Sequence, residues 1–388
     1  MAVRIAVFLG IGSVLIGGWH YYLWTRLVRD TALGPPWRTV GTVVLVVLAV
    51  MMPVSMALGR SLSPAVARPL MLVVFSWMGL AFLLFFLLLV GDVGRLALSV
   101  IERLRGMDVP DDARRTTLAR IVASAAALIG VGAGATGVLA AFDPRLERLK
   151  VPLARLPASL AGLRIVQVSD IHVGATVQRA FIERMVDRVN ALDPDIIAIT
   201  GDLVDGSVDD LGEFVAPLGR LRARHGVYFV TGNHEYYSGA PAWVAHLTSL
   251  GVRVLRNERV RVGDERGWLD LGGVDDFNAR GLAPGHGQDI AAASAGRDTS
   301  VPFVLLAHQP RSVFEAARHG VDLMLSGHTH GGQLIPWNLF VRLQQPFVAG
   351  LGRHEDTLVY VNRGTGFWGP PMRVGVPGEI TEITLVTA

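Results

Sequence analysis

Five short strings in the second half of this 388-residue chain concentrate side chains that can bind metal ions. They are Asp170-Ile171-His172, Gly201-Asp202, Gly232-Asn233-His234-Glu235, Ala307-His308-Gln309-Pro310 and Gly327-His328-Thr329-His330. Two carboxylates, one amide and five imidazoles come together, from a chain with only 11 histidines. The chain has no cysteine, so any metal must be bound through nitrogen and oxygen. Such donors suit Mn, Fe, Zn or Co better than copper or a calcium cage. Ions ~3.5–4 Å apart need a bridge, which a carboxylate such as Asp202 provides, and such a pair lowers the pKa of a shared water to give hydroxide for attack on a phosphoryl group. Asp170 and His172, two apart, point the same way on an extended segment and can share one ion, and His328 and His330 have the same relation. His234 follows Asn233 directly, so it is expected to face away from that ligand and to serve as general acid or transition-state donor.

What must position these residues is a set of short apolar runs at 164–168, 195–200, 227–231, 302–306 and 322–325. Each reads as a buried strand with a metal-capable residue at or just beyond its carboxyl end. Between the first two, Phe181, Ile182, Met185, Val186 and Val189 fall on one helical face. Ligands of open α/β sheets bind outside the carboxyl ends of the strands, so residues more than 150 positions apart can meet in one pocket.

The first half has a different character. The chain is 51% hydrophobic, with the excess in four charge-free stretches at 5–25, 39–59, 69–91 and 121–142. Each is near the ~20 residues that cross a bilayer core, which predicts four transmembrane helices. Residues 1–150 carry a net charge of +7 and the remainder −4, so the pI of 9.6 reflects basic membrane flanks. No basic stripe interleaved with aromatics marks a nucleic-acid partner. Positive residues favour the loops after the first and third stretches, nine against seven, which places both termini outside the cytoplasm. Arg114-Arg115 before the fourth stretch is similar to a twin-arginine export signal and agrees with an extracytoplasmic soluble domain on a multi-pass cell-membrane protein. The expected organisation is a helical membrane region over 1–142, a linker over 143–163 and a soluble domain over 164–388.

The ordered set Asp-x-His, Gly-Asp, Gly-Asn-His-Glu, His and Gly-His-x-His resembles the calcineurin-like metallophosphoesterase superfamily, from residue 164 to the last. Gly331-Gly332-Gln333, Asn362-Arg363-Gly364-Thr365-Gly366 and Trp368-Gly369-Pro370-Pro371-Met372-Arg373 are similar to a membrane-associated bacterial branch that includes YkuE- and YaeI-like phosphoesterases. The resemblance implies an α/β domain built as a two-sheet β-sandwich of mixed sheets flanked by helices. It implies two divalent metal ions, one held by Asp170, His172, Asp202 and His330, the other by Asp202, Asn233, His308 and His328. His234 matches the histidine that contacts the phosphate, and Glu235 is expected to hydrogen-bond a ligand. Arg363 is expected to contact substrate phosphate, with salt-bridging near the last strands as the other reading.

These expectations converge on a membrane-anchored, dinuclear-metal phosphoesterase of phosphodiesterase type, cutting a phosphodiester or pyrophosphate. Trp337, Leu339, Phe340, Val341, Phe347 and Val348, with Phe367 and Trp368, form an apolar rim if exposed, which points to a lipid-linked substrate beside the bilayer. A packed insertion is the competing reading. The alternative functions are a cytoplasm-facing nucleotide phosphodiesterase and a non-catalytic membrane sensor or scaffold.

Overall fold

The computed structural model describes residues 2–58, 64–107 and 111–388. The chain divides into two compact units, residues 1–138 with 369–372 and residues 139–368 with 373–388.

The first unit is helical: α1 (Ala2–Trp24), α2 (Trp37–Leu58), α3 (Pro64–Leu104) and α4 (Asp112–Ala141). Leu23, Ala81, Leu84, Leu88 and Ala126 form its interior. Val43 and Val47 on α2, Val73 and Val90 on α3, and Leu128 and Val131 on α4 are exposed, the outward apolar surface of a helix that meets lipid. Among the described residues three helices are long and apolar enough to cross a membrane, Trp37–Ser55, Val66–Leu104 and Asp112–Ala141, so the expected four spans are corrected to three. Residues 5–24 fold within α1, and the side chains of this stretch before Gly10 lie outside the described residues. Its described side chains include His20, buried and accepting from the Trp77 indole at 2.9 Å. The third span runs well past the expected 69–91. Asp92 sits inside α3 without breaking it because Arg26 and Arg95 neutralise its charge and the Tyr22 hydroxyl donates to it at 2.8 Å.

The second unit holds twelve strands: β1 (Arg145–Leu153), β2 (Arg164–Val168), β3 (Ile196–Ile199), β4 (Val227–Phe229), β5 (Arg253–Val254), β6 (Glu258–Asp264), β7 (Gly267–Gly273), β8 (Phe303–Leu306), β9 (Leu323–Ser326), β10 (Gly350–His354), β11 (Thr357–Val361) and β12 (Glu379–Thr387). They form two six-stranded mixed sheets, ordered β1-β12-β2-β3-β4-β5 and β10-β11-β9-β8-β7-β6. Helices α5 (Arg179–Asn190), α6 (Val208–Val215), α7 (Asn233–Ser238) and α8 (Ala240–Ser249) follow strands of the first sheet. Helices α9 (Ile290–Ser294), α10 (Val313–Arg318) and α11 (Trp337–Val341) belong to the second sheet's part of the chain.

Alternation along each strand explains the layers. Ile165, Ile196, Val304, Leu306, Leu323 and Leu325 point into the core between the sheets. Their neighbours Val166, Ile197 and Ile199 turn the other way, towards Phe181, Ile182 and Met185 of α5. Phe303, Leu305 and Met324 likewise meet α9 and α10 through Ile290, Ala293, Val313 and Ala316. Strands covered on both faces must be apolar throughout, which is why the runs carry no alternating polar residues. The segment expected as a linker, 143–163, is corrected in part. Its Arg145–Leu153 is strand β1, paired in parallel with β12 over its whole length because Val151 and Leu153 enter the intersheet core.

Candidate metal centre

Each motif string sits where a strand ends and the chain turns. Asp170 and His172 follow β2, Asp202 follows β3, Asn233 and His234 open α7 after β4, His308 follows β8, and His328 and His330 follow β9. Asp170, His172, Asp202, His328 and His330 all have positive φ, between 51° and 71°. The expected extended alignment of Asp170 with His172, and of His328 with His330, is thereby corrected. The backbone coils left-handed at these residues, and it is the turn that brings the side chains together. Such conformations cost non-glycine residues of order 1–3 kcal/mol each and persist only where the surroundings enforce them.

Enforcement is visible in the backbone contacts. The His328 amide donates to both Asp170 carboxylate oxygens at 2.9 and 3.0 Å, and the His234 amide donates to Asp202 Oδ1 at 2.9 Å. Glu235 is fully buried and accepts from the amides of Asp202, Leu203 and Gly232 at 3.0, 2.7 and 2.6 Å. The loops carrying Asp202 and Asn233 are thus clamped together by a carboxylate in the interior. Gly232 is required there, since a Cβ would stand 2.2 Å from Asp202 Oδ1. Gly327 is required too, since a Cβ would stand 2.1 Å from Asp170 Oδ2.

Two ligand sets result. In the first, His172 Nε2 lies 3.1 Å from His330 Nε2 and 3.9 Å from Asp202 Oδ2, and His330 Nε2 lies 3.4 Å from Asp170 Oδ1. In the second, His308 Nε2 lies 3.1 Å from Asp202 Oδ2 and 3.2 Å from His328 Nδ1. Ligand atoms bound at about 2.0–2.2 Å around one ion stand roughly 3–3.5 Å apart, so both sets have the spacing that could hold one. Asp202 Oδ2 lies in the second set and stands 3.9 Å from His172 Nε2 of the first, between the two. Asn233 Oδ1 is buried without any hydrogen-bond partner, as befits a ligand oxygen. His308 donates from Nδ1 to the Thr200 carbonyl at 2.8 Å, which aims Nε2 at Asp202. Burial and the neighbouring His308 charge lower the pKa of His328 to about 3, and burial and the His172 charge hold His330 well below the ordinary range. Both are therefore neutral imidazoles, the form that binds metals.

Asp205 is the functional residue that sequence reasoning missed. Its Oδ1 accepts from His234 Nδ1 at 2.6 Å and from His172 Nδ1 at 3.1 Å. One carboxylate oxygen thus orients a ligand-set histidine and the candidate acid together. The signal was available in Gly201-Asp202-Leu203-Val204-Asp205-Gly206, one turn beyond Asp202. Burial opposes protonation of His234, but the Asp205 bond and the charges of Asp202 and Glu235 prevail and push its pKa up to about 9. Its ring stands between His172, Tyr237 and Trp368, at centroid distances of 4.6, 5.3 and 5.8 Å. Its Nε2 is 4.0 Å from Asp202 Oδ2, so His234 faces the centre.

The structure places Arg363 in ion pairs with Glu379 and, at 3.3 Å, with Glu147, so the reading of a substrate contact gives way to the salt bridge. The arginine close to the centre is Arg373. It is buried, donating to the carbonyls of Gly366 at 2.8 Å, Gly364 at 3.2 Å and His330 at 3.3 Å. Burial lowers its pKa to about 10. Gln333 fixes Trp368 from both sides, its amide donating to the Trp368 carbonyl and accepting from the Trp368 amide, each at 3.0 Å.

Two neighbouring His/Asp sets with Asp202 standing between them, at the strand ends of a two-sheet sandwich, describe a metallohydrolase of the dinuclear class. Residues 163–332 match the family model described as calcineurin-like phosphoesterase. A transmembrane protein with metallophosphoesterase domain from Danio rerio is 39% identical over 402 residues, covering 99% of this chain and 90% of the relative. Its namesake from Bos taurus is 44% identical over 287 residues, 71% of this chain and 63% of the relative, so the chain spans a little under two thirds of that protein. The UDP-2,3-diacylglucosamine pyrophosphatase LpxG of Chlamydia trachomatis is 25% identical over 314 residues, 62% of this chain and 93% of the relative. This chain belongs to the calcineurin-like phosphoesterase family, as a member with three helices long and apolar enough to cross a membrane.

Proposed function

We propose that this chain is a membrane-anchored phosphoesterase that hydrolyses a phosphodiester or pyrophosphate, with lipid-linked substrates as its natural class. The observation that carries the chemistry is the position of Asp202 Oδ2, 3.1 Å from His308 and 3.9 Å from His172, while Asn233 Oδ1 lies buried and unbonded. Asp170, His172, Asp202 and His330 would hold one divalent ion, and Asp202, Asn233, His308 and His328 the other. Bound ions would supply Lewis-acid activation of water and of the phosphoryl oxygens. The chain's own residues do the rest. Asp205 holds His234 Nδ1, which turns Nε2 towards the centre and keeps the ring protonated, ready to donate to the phosphoryl or leaving-group oxygen.

The lipid-linked class is supported by what surrounds His234. Trp368 and Tyr237 flank its ring and are 56% and 59% exposed. In the nearby chain segment none of the residues of α11 is buried, and Trp337, Leu339, Phe340 and Leu343 are all exposed. A surface this apolar suits acyl chains better than a soluble nucleotide. The relative named as a pyrophosphatase of a diacylated sugar nucleotide agrees with that class. We place the domain outside the cytoplasm, supported by Arg103, Arg105, Arg114, Arg115 and Arg120 before the apolar part of α4, on the side of that span away from the domain.

The test is a hydrolysis screen of lipid extracts by Mn-loaded wild type against His234→Ala, with product identification. Turnover of a lipid phosphodiester or pyrophosphate by wild type alone is the expected result. Equal turnover of soluble and lipid-embedded substrates, unchanged in Trp337→Ser/Phe340→Ser, would remove the lipid class while leaving phosphoester hydrolysis intact. Reporter fusions on each side of α4 test the sidedness.

A further inference from the structure

The helical unit contains a cleft of about 530 Å³ that the phosphoesterase centre does not use. It opens between the end of α3 and the start of α4, and Arg95, Arg103, Arg114 and Arg115 line it together with Asp30, Glu102 and Asp112. Its size falls within the range of small-molecule sites.

The charges do not cancel inside it. Glu102 is taken up by Arg114 at 2.6 Å. Asp30 is taken up by Arg26 and Arg29 at 2.6 and 3.0 Å, and neither arginine lines the cleft. Arg95 is committed to Asp92. That leaves Arg103, with no acidic partner among the described residues, and Arg115, whose nearest carboxylate is the fully exposed Asp112 at 3.8 Å. Arg103 thus faces the concave space without an acidic partner among the described residues, and Arg115 has only the solvent-exposed Asp112, also on the cleft wall, as its counter-charge. The rest of the wall includes Leu98, Met107 and Leu118, apolar and suited to a glycerol or acyl stub.

Depth singles out the ligand. Leu96, Leu98, Val100, Ile101 and Leu104 are exposed, so α3 keeps a lipid-compatible outer side to its end, while Arg95, Glu102 and Arg103 lie among them in sequence. With α3 spanning a membrane, a cleft at this end of the helix would lie towards the headgroup side of the hydrocarbon. Basic pockets between membrane helices at that level recognise anionic headgroups. We propose that this cleft binds a phosphate-bearing anion, supplied as the headgroup of an anionic phospholipid or as free phosphate, through Arg103 and Arg115. The site is separate from the metal centre, and its occupancy does not depend on catalysis.

The test is native mass spectrometry of the full-length protein in neutral detergent, titrated in separate arms with dioctanoyl phosphatidylglycerol, dioctanoyl phosphatidylcholine and inorganic phosphate. Wild type is expected to bind phosphatidylglycerol in preference to phosphatidylcholine, and Arg103→Gln/Arg115→Gln to weaken that binding on the order of tenfold or more. Arg103→Lys/Arg115→Lys, which keeps both charges, should retain most of it and guards against misfolding as the cause of loss. Binding of inorganic phosphate that the Gln pair abolishes would assign the site to a soluble anion. Equal binding of the two lipids with no phosphate binding, or anion binding the Gln pair leaves unchanged, would overturn the proposal.

Discussion

Replacing Asp205 by Asn tests the architecture at its most connected point. The carboxylate serves two histidines through one oxygen, at 2.6 Å to His234 and 3.1 Å to His172. A hydrogen bond to a charged partner contributes ~1.5–3 kcal/mol. The Asp205 side chain is 30% exposed, and solvent screening brings that to about 1.5 kcal/mol at each histidine. Since 1.4 kcal/mol is a factor of ten, Asp205→Asn should weaken metal retention about tenfold through His172 and lower kcat about tenfold through His234. The two effects separate by titrating Mn into metal-stripped protein while following hydrolysis of bis(p-nitrophenyl) phosphate. Excess metal should restore the part due to His172 and leave the part due to His234. A variant within twofold of wild type at both limiting and saturating Mn would refute the assigned role of Asp205. Full recovery at saturating Mn would refute the part assigned to His234.

Four further outcomes are expected. Asp202→Ala should lose both ions and Asn233→Ala about one, as counted by elemental analysis of the purified protein, and two ions retained by Asp202→Ala would contradict a shared ligand. Arg373→Met strands several buried carbonyls, each of which loses ~1–3 kcal/mol, so a fall in Tm on the order of 10 °C is expected by calorimetry. Gly232→Ala drives a methyl group into Asp202 and should abolish activity without unfolding the sheets, with far-UV circular dichroism as the control. His234 has a raised pKa in the folded chain, so its contribution to stability is full below its ordinary value near 6.5 and is lost as pH rises through about 9. In chelator-treated protein the Tm advantage of wild type over His234→Gln should therefore shrink between pH 6 and 10, and a constant difference would contradict it.

The strands were legible because buried parallel strands leave continuous apolar runs, and Arg164–Val168 begins and ends where the pattern says. The ligand strings were legible because their residue types have few other uses at strand ends. Left-handed backbone at Asp170 or His328 was not, since no local pattern of a non-glycine residue announces it. Asp205 was hidden by the abundance of aspartates in turns, and only its two histidine partners reveal its task. Arg363 and Arg373 look alike in sequence, and burial alone separates the salt-bridged one from the one beside His330. Strand β1 read as linker because Arg145, Glu147, Arg148 and Lys150 give it the charge of a loop.

That charge has a consequence for biogenesis. In the first sheet β12 lies between β1 and β2, so the strand made last is an interior one. Arg145 pairs with Glu379, and at 5–20 residues per second a ribosome needs roughly 10–50 s to travel from one to the other. Throughout that interval β1 is an unpaired strand, the geometry that seeds aggregation. Its alternating charges and Pro152 are those of a guarded edge, and they keep the strand in solution until its partner emerges. The first sheet consequently closes only after nearly all of the domain has been made, and a chain stalled before residue 379 would leave β2 unpaired on the side that β12 fills.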